Sequence, residues 1–164
     1  TNQIVTNNFP NRTENAFSPQ ISILYQLPKN FSLFAAASKS FRAPSLNELY
    51  RAFRVGNVLT QANENLKAEQ ATNFESGLSY SRQNFYLRGN FFWTQVSNPV
   101  SNVTLSQTPS WITRQRQNTG KTRSSGFELE NENRWENFVF SFGYLFADSK
   151  VTEFPANRSL ENLR

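Results

Sequence analysis

Hydrophobic side chains recur at every second residue through most of this chain, and that period constrains the fold more than anything else in the sequence. Phe17, Ile21, Ile23, Tyr25 and Leu27 share one parity, while Ser18, Gln20, Ser22 and Gln26 take the other. Phe74, Ser76, Leu78 and Tyr80 alternate with Asn73, Glu75, Gly77, Ser79 and Ser81. Phe85, Leu87, Gly89, Phe91 and Trp93 alternate with Tyr86, Arg88, Asn90 and Thr94. Phe127 and Leu129 alternate with Glu128, Glu130 and Glu132, and Phe138, Phe140, Phe142, Tyr144 and Phe146 form an aromatic stripe. Such alternation predicts strands with one apolar and one polar face. A helix would scatter the five aromatics of the last stripe around its circumference.

The spacing of turns places six strands, near 16–27, 31–40, 70–82, 85–97, 112–132 and 138–152. Leu27-Pro28-Lys29-Asn30, Ser81-Arg82-Gln83-Asn84 and Asn133-Arg134-Trp135-Glu136-Asn137 are short connections; residues 41–69 and 97–113 are long ones. Short and long connections alternate, as in an up-and-down barrel with one tight and one elaborated rim. Tyr25, Phe31, Tyr80, Phe85, Trp135 and Phe138 cluster at the tight rim, where a membrane barrel carries its interfacial aromatics. Each strand is long enough to cross a bilayer, which takes about 9–11 tilted residues. No run approaches the 18 or so apolar residues of a membrane-crossing helix. Six strands cannot close a barrel, which needs about eight, and an open sheet in lipid leaves edges unpaired. The fold expected is therefore all-β, antiparallel and up-and-down, a six-stranded fragment of a transmembrane β-barrel; a soluble β-sandwich binding module is the alternative. The chain starts at Thr1 and shows no charged-then-apolar leader, so a piece of a longer protein is expected.

The long segment 41–69 changes character. Ser45 followed by Glu48 matches a capping box, and Leu46, Leu49, Tyr50 and Phe53 fall at i, i+3, i+4 and i+7, one face of a short helix. Ser40-Phe41-Arg42-Ala43-Pro44-Ser45-Leu46-Asn47-Glu48-Leu49-Tyr50 resembles the G-F-R-A-P-T-L-x-E-L-Y segment of TonB-dependent outer-membrane receptors. The likeness continues in order through Ala62-Asn63-Glu64-Asn65-Leu66-Lys67-Ala68-Glu69, Asn73-Phe74-Glu75-Ser76-Gly77-Leu78, and Asn118-Thr119-Gly120-Lys121 to Ser125-Gly126-Phe127-Glu128-Leu129-Glu130. It covers residues 16–152. Ser40 replaces a glycine, and Glu64 and Ala68 replace two prolines of the family pattern. The resemblance implies a 22-stranded barrel with an N-terminal plug domain and a TonB box, neither of which is in this segment. Residues 1–164 would then be part of the barrel domain alone. It also implies long loops facing outside and short turns facing the periplasm.

Composition narrows the chemistry. With no His and no Cys, the chain has no disulfide, thiolate zinc site, cysteine nucleophile or Ser–His–Asp triad. Glu128, Glu130 and Glu132 share a strand face, as carboxylates for glycoside hydrolysis or Ca²⁺ would, but Glu75 and Arg88 share that face by parity. A polar lumen explains the set better. Arg114, Arg116, Lys121 and Arg123, with Trp111 nearby, could line a nucleic-acid groove; an outer surface facing anionic headgroups or an anionic ligand fits better, and no nucleic-acid partner is expected.

The resemblance implies a receptor in the cell outer membrane, not an enzyme. It would bind and import a scarce nutrient, an iron–siderophore, cobalamin or similar, with energy from the TonB complex. Its expected partners are outer-membrane lipid, that complex through the plug, and the small-molecule ligand. No cofactor, metal site or catalytic residue is expected. Arg42, Asn47, Glu48, Arg51 and Arg54 are the candidate loop contacts to ligand, since guanidinium suits carboxylate or phosphate groups. Arg42 and Glu48 could instead pin the loop to the rim.

Overall fold

The computed structural model describes residues 11–155 and 161. Six strands build the main sheet: β1 (Gln20–Leu27), β2 (Phe31–Arg42), β5 (Glu69–Arg82), β6 (Phe85–Ser97), β9 (Lys121–Trp135) and β10 (Phe138–Glu153). Their order is β1-β2-β5-β6-β9-β10 and every pairing is antiparallel, the up-and-down wall that the alternation predicts. The three tight turns are shorter than the sequence suggests. Lys29 and Asn30, Gln83, and Glu136 adopt positive φ there, the left-handed twist that a tight hairpin needs.

Register assembles the sequence stripes into two faces. One cross-strand row runs Tyr25, Leu33, Leu78, Gly89, Leu129, Tyr144; the next runs Ile23, Ala35, Ser76, Phe91, Phe127, Phe146. Glu75, Arg88, Glu128, Glu130 and Glu132 lie on the opposite face, with Arg88 directly across from Glu130. On β10 the apolar stripe runs from Phe138 to Phe146. At about 3.3 Å per residue and a tilt near 40°, it spans roughly 20 Å of height, close to the ~25 Å apolar band of a membrane barrel. Phe138, Phe140, Phe142, Tyr144 and Phe146 are all exposed, where a sandwich would bury them under a second sheet. Among the described hydrophobic residues only Leu49 and Leu66 are buried, so the apolar face has no protein core to pack on.

The polar face carries two rings laid over glycine. Phe34 lies directly across from Gly77, and Phe92 from Gly126. A Cβ on Gly126 would meet the Phe146 carbonyl oxygen, Phe92 Cζ at 2.7 Å and Ala147 Cα at 2.9 Å. Gly126→Val is therefore expected to destabilise the barrel by at least the ~1–3 kcal/mol typical of overpacking. A lowered temperature for loss of the folded, SDS-resistant band on gels would show it; an unchanged temperature would mean that the ring and strand move aside freely.

The connections differ from the expectation of two loops. Residues 112–132 form two strands, β8 (Trp111–Asn118) and β9, and residues 97–113 contain β7 (Val100–Thr108). The 41–69 segment holds α1 (Leu46–Tyr50), β3 (Phe53–Val55) and β4 (Val58–Gln61). Together β3-β4-β8-β7 make a second sheet, in which β4 and β8 run parallel. The helix stops before Phe53 because Arg51 is already extended (φ −112°, ψ 112°) and Phe53 pairs with Thr60.

The β7–β8 hairpin continues the β6–β9 ribbon. Ser97 faces Lys121 and Val100 faces Asn118 without change of register. Between them Asn98 (φ 56°) and Gly120 (φ 83°) swivel the ribbon, joined by a 2.8 Å hydrogen bond from the Asn98 N–H to the Gly120 carbonyl.

Candidate functional site

The long-connection rim is held by one guanidinium. Arg42, the last residue of β2, lies directly across from Glu69, the first of β5. Its Nε and Nη2 donate to Glu69 Oε2 and Oε1, both at 2.8 Å, and its Nη1 donates to Glu48 Oε2 at 3.0 Å. The first is a bidentate pair, the geometry in which Arg binds carboxylate best. Glu48 Oε2 also accepts from the Ser45 N–H at 2.8 Å and hydroxyl at 2.9 Å, closing the capping box that starts α1. Glu69 Oε1 accepts from the Val100 N–H at 2.6 Å. One cluster thus ties β2, α1, β5 and β7.

The cluster lies beyond the apolar band, on the long-loop side. Partial burial opposes charge on Glu48, but hydrogen bonds from Arg42 and Ser45 outweigh it and hold its carboxyl at about 2. The Arg42 hydrogen bond lowers Glu69 as well, against its burial. Arg42, bonded to both, is held more firmly protonated than an ordinary guanidinium.

The remaining candidates lie on or beside the second sheet. The Asn47 carbonyl accepts from Arg116 Nη1 at 2.7 Å. Arg51 is exposed, and its side chain has no hydrogen-bond or ion-pair partner among the described residues. Arg54 donates from Nε to the Gly56 carbonyl at 2.8 Å and lies over the Trp111 ring, 4.5 Å from its centroid. Arg116 lies over Phe53 at 5.1 Å. Parity puts these two pairs on opposite faces of the small sheet. Each ring lies against a guanidinium that keeps donors to spare, a ready contact for an anionic or aromatic ligand.

The two connections are clasped together. Asn118 accepts from the Lys67 N–H at 2.8 Å and donates to the Lys67 and Asn98 carbonyls at 3.0 and 2.8 Å. Asn63 Nδ2 donates to the Arg116 carbonyl at 2.9 Å, and the Ile112 N–H to the Asn57 carbonyl at 2.9 Å. So Arg42 and Glu48 meet in the anchor, Asn47 and Arg54 join the arginine–aromatic sheet, and Arg51 stands apart. Glu69 and Asn118, which hold the rest together, were not singled out from sequence, though both lie in the quoted motifs. Counting the β2–β5 register outward from Leu33 and Leu78 places Glu69 against Arg42. No group of three or more His, Cys, Asp or Glu side chains able to hold a metal occurs among the described residues.

Known proteins share the sequence pattern and the fold. The family model for the TonB dependent receptor-like β-barrel matches residues 1–162. Hemoglobin-haptoglobin utilization protein B of Neisseria meningitidis serogroup C is 38% identical over 80 residues, 48% of this chain and 10% of that protein. The siderophore receptor PirA of Pseudomonas aeruginosa superposes with a TM-score of 0.73 at 20% identity, over 83% of this chain and 28% of the receptor. The hemophore receptor HasR of Serratia marcescens, solved with its hemophore HasA and heme, gives a TM-score of 0.74 at 19% identity, over 82% of this chain and 22% of the receptor. These structural likenesses speak for the fold, and the chain spans about a quarter of those two receptors.

Proposed function

The chain belongs to the TonB-dependent receptor β-barrel family, and from that premise we propose that it forms wall and outer loops of an outer-membrane receptor importing a scarce iron-bearing nutrient. The arginine–aromatic sheet at the long-loop rim carries this reading. It sets Arg54 and Arg116, each steadied by a ring, above a wall whose inner face is polar. An iron–siderophore or similar anionic chelate supplies the carboxylates, phenolates or hydroxamates such donors recognise. The named relatives, a siderophore receptor, a hemophore receptor and a hemoglobin–haptoglobin utilization protein, all deal with iron sources. In this reading the segment does no catalysis. Import would draw on the TonB complex through parts of the receptor outside this chain.

Ligand binding and uptake by the full-length receptor test the proposal. With both Arg51 and Arg54 replaced by Ala, affinity for the transported iron chelate is expected to fall roughly 10–100-fold, the equivalent of one charge-assisted hydrogen bond at ~1.5–3 kcal/mol. The amount of folded receptor in the outer membrane should not change. Unchanged binding and uptake would remove both residues from the site and leave this segment as scaffold.

A further inference from the structure

The second sheet leaves one long edge open. Its order is β3-β4-β8-β7, so β7 has β8 on one side and no strand on the other among the described residues. Two hydrogen bonds set the direction of its backbone groups. Val100 lies directly across from Asn118 but gives its N–H to Glu69 Oε1 at 2.6 Å, away from β8. The preceding residue, Pro99, turns its carbonyl the other way and accepts from the Thr119 N–H at 2.8 Å. Facing residues of an antiparallel pair alternate between bonded and unbonded, so Asn102 and Thr104, like Val100, turn their N–H and C=O groups outward. Both residues are exposed, and no described residue bonds to those outward groups.

Strand edges are ordinarily guarded by charge, proline or a bulge. From Val100 to Thr104 there is no charged residue and no proline, and the bulge of β7 comes only between Thr104 and Ser106. Pro99 and that bulge bound a short unguarded stretch, the length at which peptides add to sheet edges. The sheet is also of one sign. Residues 49–63 and 97–120 contain Arg51, Arg54, Arg114 and Arg116 and no Asp or Glu. Arg54 and Arg116 lie over rings, whereas Arg114, directly across from Thr104, has no ion-pair partner among the described residues. A strand added to β7 would lie two strand spacings, about 10 Å, from β8, within the combined reach of an arginine and a glutamate side chain. A second copy of this sheet would bring only more arginines to that place. An acidic segment supplies the charge that the edge lacks.

We propose that β7, from Val100 to Thr104, takes up an extended acidic segment of a protein partner as a further strand, with a carboxylate paired to Arg114. Backbone hydrogen bonds at Asn102 and Thr104 hold the segment, and Arg114 selects its charge. This edge uses neither Arg51 nor Arg54, so it and the small-ligand reading can fail separately.

Hydrogen exchange and fluorescence polarisation of the full-length receptor in detergent test it, with an eight-residue peptide of alternating Glu and Val as probe. One control peptide carries Lys for Glu, and another carries N-methyl groups on its backbone nitrogens. In the free receptor the Asn102 and Thr104 amides should exchange about tenfold or more faster than those of Ser101 and Val103, which face β8. The Glu peptide should slow that exchange and bind about tenfold or more tighter than either control. Arg114→Gln should remove the preference for Glu over Lys. Thr104→Pro costs no ladder bond and should remove binding, while uptake of the free iron chelate stays at the wild-type level. No binding, or equal binding of the Glu and N-methylated peptides, would overturn the proposal. So would slow exchange at Asn102 and Thr104 without peptide, because another segment of the receptor would then already cover the edge.

Discussion

Leu78→Arg is expected to destabilise the folded barrel by roughly 2–4 kcal/mol, the penalty for Arg near the bilayer midplane. Leu78 is exposed on the apolar face and lies in the row that also contains Leu33 and Leu129, about midway along the band. Its strand β5 is paired on both sides, so the side chain cannot escape by fraying of an edge. Ser79→Arg moves the same charge by one residue and should have little effect. Ser79 faces the polar side, in the row of Ser32, Arg88 and Glu130, where water and a carboxylate receive it. Urea unfolding of the full-length receptor in lipid vesicles measures both. Equal losses from the two substitutions would mean that the two faces do not meet different solvents.

Arg42→Leu is expected to loosen the entire long-loop rim. It leaves the Glu48 and Glu69 side chains, only 19% and 20% exposed, without their shared cation. Hydrogen bonds to charged groups contribute about 1.5–3 kcal/mol, less where one partner is solvated as Arg42 is. A net loss of about 1.4 kcal/mol raises the open population tenfold. Limited proteolysis between residues 43 and 68 should then speed up about tenfold. Glu48→Gln should do less, because the bidentate Arg42–Glu69 pair survives. The pH dependence has a definite sign. Glu48 is held at about 2, below its ordinary 4.5, so its contribution is complete above about 4.5 and is lost as pH falls through 2. Acid should therefore speed cleavage of the wild-type rim over that window and change the Arg42→Leu rim less.

The wall was legible in the sequence because side-chain parity is a local property. Each strand of a one-sided sheet must alternate, and Phe138 to Phe146 does so whatever its neighbours are. The capping box at Ser45 and Glu48 was legible for the same reason. The second sheet was not. Its strands β3 and β4 have three and four residues, too few to show a period, and the parallel β4–β8 pairing joins segments about fifty residues apart. Gly56-Asn57 between two short apolar runs was the available hairpin signal. The division between β8 and β9 was hidden because register carries straight through the swivel at Asn98 and Gly120. At the rim, Arg42 and Glu48 read equally well as ligand contacts or as anchor. Only the cross-strand position of Glu69 reveals the bidentate pair, and register between residues 27 positions apart is not a local property.

The central claim is that one face of this sheet meets lipid and the other meets water, and a cysteine scan along β10 tests it most directly. This chain has no Cys of its own, so within these 164 residues each label reports one position. Single cysteines at residues 138–147 of the full-length receptor in vesicles would carry spin labels, probed with oxygen and with a water-soluble nickel chelate. The account predicts strict alternation, with oxygen contact dominant at 138, 140, 142, 144 and 146 and nickel contact dominant at 139, 141, 143, 145 and 147. Uniform contact with the nickel chelate, or no period of two, would contradict it.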